Sequence, residues 1–284
     1  MALAADDFAF VRHFLRAQSG MVLETGKEYL VEARLTPVAQ HAGFASLQDL
    51  ITRLRQRAPT ALCLQVVEAL VTNETQFFRD VHPFETLKTS ILPDLIDKRS
   101  AERQLSLWCA AAASGQEPYS VALLLAEHFP HLAHWNVQCI ASDISNVLLE
   151  RAQRGCYSQL EVNRGLPTPL LLKYFQKNGH EWQLSEHIRR RITFRHMNLI
   201  HAWPHLPPMD IILMRNVLIY FDADTKKTIL GKVCQLLKPD GYLFLGSSEA
   251  IPHRNPAFKR MQFDKTVCYQ LDVHFISPAP VHSH

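Results

Sequence analysis

Three apolar runs, each breaking at small or polar residues, restrict the fold of this chain more than any other feature. LSLWCAAAASGQEPYS (Leu105–Ser120) falls from a run into a small-residue turn and then a helix. VQCIASDIS (Val137–Ser145) ends its run at Asp143, and DIILMRNVLIYFD (Asp210–Asp222) opens into Arg215-Asn216. Apolar runs bounded by turns and alternating with helices are the mark of a parallel sheet covered on both faces. Polar groups at successive strand ends then line the carboxyl edge of that sheet, where open α/β sheets bind nucleotide-type ligands. The pattern predicts an enzyme.

The alternation predicts strands at Leu105–Cys109, Val137–Ala141, Ile192–His196, Asp210–Met214 and Tyr242–Leu245. Helices are expected at Tyr119–Glu127, Ser145–Arg154 and Asp224–Leu237. Pro239-Asp240-Gly241 reads as a turn before Tyr242, and Thr266–Leu271 as a last strand returning antiparallel beside it. Residues 1–72 differ, because four segments repeat apolar residues at helical spacing with joints at Gly20, Gly43 and Pro59. Residues 73–103 join the two regions. Within them, TNETQFFRD places Thr75 and Arg79 at i,i+4, on one side of an expected helix. A turn at His82-Pro83 and an amphipathic helix ending near Asp97 follow. Residues 155–191 are longer than a crossover needs and suggest an insert with a small helix and one or two short strands. From Arg151 to Arg195 nine basic residues stand against three acidic ones, so the insert presents a basic surface.

Composition excludes several classes. The apolar runs are too short to span a membrane, and MALAADDFAF carries acid where a signal peptide carries positive charge, so a cytoplasmic location is expected. Six cysteines without a CxxC pair read as buried thiols in a reducing compartment. A net charge of +3 does not call for a nucleic-acid partner, and the histidines show no HExxH spacing, so no metal is expected.

The strand ends suggest specific chemistry. The first turn holds one glycine, Gly115, which suits an adenosyl ligand better than a pyrophosphate. Asp143 can accept both hydroxyls of a ribose or cap the helix beginning at Ser145. Asn198 and Asn216 offer amides, each a donor and an acceptor, to an adenine edge or an amino-acid zwitterion.

Together these motifs resemble the CheR family of chemoreceptor glutamate O-methyltransferases. The resemblance rests on Asn73–Arg79 (NETQFFR), Ala113–Ser120 (ASGQEPYS), Ala141–Ile144 (ASDI), Arg215–Phe221 (RNVLIYF) and Leu236–Glu249 (LLKPDGYLFLGSSE), and runs from about residue 8 to 271. It implies an all-helical N-terminal domain (1–72), a linker with a cofactor-contacting helix (73–103) and an S-adenosylmethionine-dependent methyltransferase domain (104–284). The last is a doubly wound, mostly parallel α/β sheet with a small β-subdomain inserted at about 155–195. By motif position the cofactor contacts are Asn73, Thr75, Arg79, Glu117, Asp143, Asn198, Leu199, Asn216 and Val217, with Arg79 and Tyr220 near the transferred methyl.

The activity so implied is methylation of glutamate carboxylates on chemoreceptor cytoplasmic helices in sensory adaptation, by a monomer that binds neither nucleic acid nor membrane. A glutamate with a reference pKa of about 4.3 is already ionised at neutral pH, so no strong base is needed. Arg79 would clamp a carboxylate, the substrate's or the cofactor's own. Nucleic-acid amine methyltransferases place prolines after the fourth strand, where this chain has Asn216-Val217-Leu218-Ile219. Arg53, Arg55 and Arg57 alternate along a predicted helix and give the N-terminal region a basic edge suited to acidic receptor helices. Family members that grip a C-terminal receptor pentapeptide have a longer, glycine-rich loop than Gln176–Glu181, so independence from that tether is expected.

Overall fold

The computed structural model describes residues 3–251, 255–272 and 274. It divides into two compact units, one of helices and one built on the sheets. The helical unit contains α1 (Ala5–Ser19), α2 (Glu28–His41), α3 (Leu47–Arg55) and α4 (Thr60–Leu70). Helix α1 buries Phe8, Val11 and Leu15, whose spacing of three and four puts them on one face. It stops at Gly20, whose φ of +76° and N–H to Arg16 O close the helix. A Cβ on Gly20 would lie 2.5 Å from Ile200 Cγ2, so only glycine satisfies both the backbone and the space. Two later segments, Asn198–Ala202 and Tyr220–Ile229, belong to this unit. Val22 N donates to Tyr220 O at 2.8 Å, and Arg16 pairs with Asp222. Periodicity along residues 1–72 could not reveal these additions.

In the second unit, α5 (His82–Thr86) passes through a π turn (Leu87–Ile91) into α6 (Leu92–Lys98). The wide turn precedes Pro93, which has no N–H to give and whose ring crowds the preceding turn. The chain continues through β1 (Gln104–Ala110), α7 (Gln116–His128), β2 (Asn136–Asp143) and α8 (Asn146–Arg154). The insert follows: β3 (Cys156–Ser158), α9 (Gln159–Asn163), α10 (Thr168–Tyr174), β4 (Phe175–Asn178), β5 (Glu181–Leu184) and α11 (Glu186–Arg189). Then come β6 (Ile192–His196), β7 (Met209–Met214), α12 (Ala223–Leu236, counted with the helical unit as far as Ile229), β8 (Leu237–Leu245), β9 (Phe258–Phe263) and β10 (Thr266–Leu271).

The large sheet has the order β6-β2-β1-β7-β8-β10-β9, parallel from β6 through β8. Strand β10 lies antiparallel to β8, as expected, and β9 antiparallel to β10. Every residue of β7 is buried, and in β1 only Gln104 is exposed, which is why these strands read as unbroken apolar runs. The order reverses beside β1, between β2 on one side and β7 on the other, and this leaves a crevice at their carboxyl ends. The insert is a three-stranded antiparallel sheet, β3-β5-β4, one strand more than the upper expectation.

Three local readings change. Residues 72–81 contain no helix, so Thr75 and Arg79 do not share a helical face. Tertiary contacts hold this segment instead: Phe77 is fully buried edge-on against Tyr157 and Phe175, and Phe78 N donates to Ser120 Oγ at 2.9 Å. Pro239-Asp240-Gly241 does not stand ahead of the strand. It forms a bulge inside β8, where pairing jumps from Met209↔Leu237 to Ile211↔Tyr242. Arg99 bonded to Asp240, and Lys238 bonded to buried Asp210, tie the bulge down. Strand β9 was not legible, because Phe258–Phe263 lies on the sheet edge and buries fully only Phe258.

Candidate functional site

The first turn at the sheet's carboxyl edge is built from alanines in a glycine conformation. Ala111 and Ala113 take φ of +57° and +48°, and Gly115 takes +93° at the start of α7. Ala113 N donates to Asp143 Oδ2 at 2.8 Å, so the carboxylate at the end of β2 pins the turn after β1. Ser145 N donates to Asp143 Oδ1 at 2.9 Å, while Ser145 Oγ accepts from Leu148 N. The cap of α8 is therefore Ser145 and not Asp143, which resolves one of the two sequence readings. Asp143 is 6 % exposed and faces the crevice loops. Gly115 allows close packing below the turn, for a Cβ there would sit 2.9 Å from Ala152 Cβ and 3.2 Å from Tyr157 Oη.

Behind the turn lies a buried ionic cluster centred on Arg215, the residue that follows β7. Its Nη1 donates to Glu117 at 2.6 Å, and its Nη2 donates to Asp80 at 2.7 Å and to Arg79 O at 2.9 Å. Its Nε is buried and has no acceptor among the described residues. Burial pushes the Glu117 carboxyl above its usual range, and the Arg215 guanidinium pulls against that shift. The segment held by Arg215 is strained. Phe78, Asp80 and Val81 have φ of +48°, +68° and +50°, and His82 N reaches back to Asp80 O across Val81. That is a γ-turn of positive φ around a β-branched residue, costing on the order of 1–3 kcal/mol.

Arg79 donates to Glu74 O at 2.9 Å and has no carboxylate partner among the described residues. Asn216 also adopts a left-handed backbone, φ +58°. Glu249 fixes it by accepting Asn216 N at 2.7 Å, Gly246 N at 2.6 Å and Ile219 N at 3.0 Å. Only glycine fits at 246, because a Cβ would lie 2.8 Å from the backbone N of Asn216. Thr75 and Val217 are half-buried in the same unit.

The other expected residues fall in the helical unit. Asn198 Nδ2 donates to Gln18 O at 2.7 Å, Leu199 is buried, and Tyr220 offers its carbonyl to Val22. Asn73 is half-buried at that unit's end. The basic edge of α3 is also partly committed, since Arg55 bonds Asp7 and lies 4.7 Å from the Phe10 ring. Arg57 lies beyond the end of α3 with φ +62°. In and just before the insert, Arg151, Arg164, Lys173 and Arg190 each pair with a glutamate, which reduces the basic surface there. Sequence reading passed over Arg215, Asp80 and Glu249 as functional residues. A signal for Arg215 existed, for a cation directly continuing a buried strand requires buried acceptors.

S-adenosylmethionine combines a sulfonium cation, an amino-acid zwitterion, ribose hydroxyls and an adenine. The sheet unit presents matching groups: the buried carboxylates Asp143 and Glu117, the Arg79 guanidinium, the Asn216 amide and a small-residue turn. The comparisons agree. Residues 73–267 match the profile "CheR methyltransferase, SAM binding domain", and residues 6–71 match "CheR methyltransferase, all-alpha domain". The chain is 39% identical over 268 residues to "Chemotaxis protein methyltransferase Cher2" of Pseudomonas putida, covering 93% of this chain and 97% of that protein. It is 39% identical over 274 residues to "Chemotaxis protein methyltransferase 1" of Pseudomonas aeruginosa, covering 95% and 99%. "Chemotaxis protein methyltransferase 1" of Vibrio cholerae is 35% identical over 262 residues, covering 91% and 94%. With the helical unit, the sheet order and the motif loops all in agreement, the chain belongs to the CheR family of S-adenosylmethionine-dependent chemotaxis methyltransferases.

Proposed function

We infer that the enzyme methylates glutamate side-chain carboxylates on chemoreceptor cytoplasmic helices, giving glutamate methyl esters and S-adenosylhomocysteine. The observation that carries this reading is Arg79, a half-buried guanidinium bonded to a carbonyl and to no carboxylate among the described residues. Its planar fork matches the two oxygens of a carboxylate. Bound S-adenosylmethionine supplies a methyl already activated on sulfur. The residues of the chain then have to hold and orient. In this reading Asp143 accepts the ribose hydroxyls, while Glu117, Thr75, Asn216 and Val217 surround the remainder of the cofactor. Asn73, Asn198, Leu199 and, near the methyl, Tyr220 join the set on motif position. An ionised glutamate oxygen attacks without a base, so the main task is alignment of that oxygen with the methyl and its sulfur.

The enzyme is taken to act in the cytoplasm as a monomer, and among the described residues no helix is long and apolar enough to cross a membrane. It is also taken to work without a receptor pentapeptide tether. Strands β4 and β5 are joined by a two-residue turn, Gly179-His180, with Asn178 opposite Glu181 and Gly179 at φ +58°. A turn this tight supplies no long loop to grip a tail. The deciding experiment is methyl transfer from radiolabelled cofactor onto receptor cytoplasmic fragments. Labelling is expected on fragments that retain their glutamate pairs, and labelling that survives their replacement by alanine refutes the assignment.

A further inference from the structure

The large sheet steps at one of its free edges. Strand β2 begins at Asn136, but the edge strand β6 pairs with it only from Cys139↔Ile192 onward, so the start of β2 runs on past β6. A cavity of about 250 Å³ lies at this step. Its apolar part is Leu125, Leu132, Val137 and Ile140, and its polar part includes Thr193, Arg190, Arg191 and Arg195. Thr193 and Arg195 pair beside Ile140 and Ser142, so alternation puts both on one face of the sheet. The strands here are parallel, and Val137 at the amino end is about 20 Å of strand away from Asp143 at the carboxyl end. The cavity is therefore apart from the crevice.

Its charges are of one sign. Among the described residues no carboxylate lines the cavity. Arg190 pairs with Glu186 outside it and is discounted. Arg195 donates to His205 O at 3.2 Å, a neutral acceptor that leaves its charge in place. Arg191 has no side-chain partner among the described residues. Cys139 adds no negative charge, because burial pushes its thiol up to about 12 while the Arg191 guanidinium pulls the other way. Two guanidinium charges thus stand uncompensated beside an apolar wall. A carboxylate has two oxygens, which one guanidinium fork takes up. A phosphate monoester has three terminal oxygens and nearly two negative charges at neutral pH, enough for both forks and the Thr193 hydroxyl. The volume falls a little below the about 300–1,000 Å³ of sites for drug-sized ligands, which leaves the apolar wall for an organic part about as large as one ring.

We propose that the step between β2 and β6 is a second binding site, for a small phosphate ester, with Arg191 and Arg195 holding the phosphate and the apolar wall holding the organic part. The site does not depend on the identity of the methylated substrate. Arg191 is exposed and bonded to nothing through its side chain, so its replacement leaves the fold intact.

The test is calorimetry on the full chain in low salt, with phenyl phosphate, inorganic phosphate and benzoate as probes. Phenyl phosphate is expected to bind one molecule per chain, about tenfold or more tighter than either of the others. Arg191→Met should weaken it about tenfold, and Arg191→Met with Arg195→Met should abolish it, at an unchanged urea midpoint. Should the double variant unfold, the single Arg191→Met variant decides the matter. Saturating S-adenosylhomocysteine should leave the phenyl phosphate Kd unchanged. Absence of saturable binding, or equal binding by Arg191→Met, overturns the site. Displacement by S-adenosylhomocysteine also overturns it, because the probe would then occupy the crevice. Benzoate binding as tightly overturns the preference for phosphate, and inorganic phosphate binding as tightly overturns the role of the apolar wall.

Discussion

Replacing Arg215 by methionine would expose how the buried cluster supports the site. The side chain is 1% exposed and donates to Glu117, Asp80 and the Arg79 carbonyl. Asp80 is 36% exposed, so solvent screens that pair and its loss costs about 0–1 kcal/mol. Glu117 is 11% exposed, and removing its partner strands a buried carboxylate at about 3–5 kcal/mol. The second figure dominates. Against a total stability of about 5–15 kcal/mol this loss is a large fraction of the margin. The loss should depend on pH. Burial already raises the Glu117 carboxyl above its usual value of 4.5, and without Arg215 it rises further. A carboxyl raised in the folded state holds its proton better there than in the unfolded chain. Its contribution is therefore complete below the usual value and is lost as pH climbs through the raised one. Urea denaturation followed by circular dichroism should show the variant closest to the unmodified protein near pH 5 and furthest from it near pH 8. Equal destabilisation at both pH values, or an unchanged midpoint, refutes the assignment of the cost to Glu117.

Asp143→Ala should weaken S-adenosylhomocysteine binding by about 1–3 kcal/mol in calorimetry, and unchanged affinity would leave Asp143 only its role in pinning Ala113. Arg79→Lys keeps the charge and loses the fork, so turnover should fall with thermal stability unchanged, whereas full activity removes Arg79 from the transfer step. Titration with a receptor C-terminal pentapeptide should show no micromolar binding, and a micromolar Kd would show that the short Gly179-His180 turn does not preclude a tether.

Much of the architecture was legible because burial on both faces forces unbroken apolar runs. Strands β1, β2 and β7 stand out for that reason, and their terminal residues lead directly to Asp143 and Asn216. What stayed hidden depends on distant partners. TNETQFFRD has local spacing compatible with a helix, yet Phe77 finds its aromatic neighbours in the insert, and Gly165 presses so closely that a Cβ there would lie 2.0 Å from Phe77 O. No local pattern encodes that contact. The same holds for Glu249, which looks like a polar loop residue until Asn216, Gly246 and Ile219 are seen to converge on it.

The strained residues around the crevice follow one physical rule. Ala113, Asn216 and Asp80 all adopt positive φ, and each is held by a charged side chain from another part of the chain. Asp143 takes the N–H of Ala113, Glu249 takes the N–H of Asn216, and Arg215 binds the carboxylate of Asp80 and the carbonyl before it. A left-handed non-glycine residue persists only where its surroundings over-determine it, and a charge-assisted bond of about 1.5–3 kcal/mol offsets a strain of similar size. The consequence concerns function. Left-handed turns aim successive N–H groups and side chains into one concavity, which a relaxed loop cannot do. Substitution of Asp143, Glu249 or Arg215 is therefore expected to lower ligand affinity even where the residue makes no ligand contact, because each keeps a loop in a conformation that is unfavourable without it. On this view an electrostatic frame inside the sheet unit holds the crevice in shape. Substitutions at the clamps should thus weaken cofactor binding mainly through a lower population of the competent loops, a loss that tighter contacts elsewhere could restore.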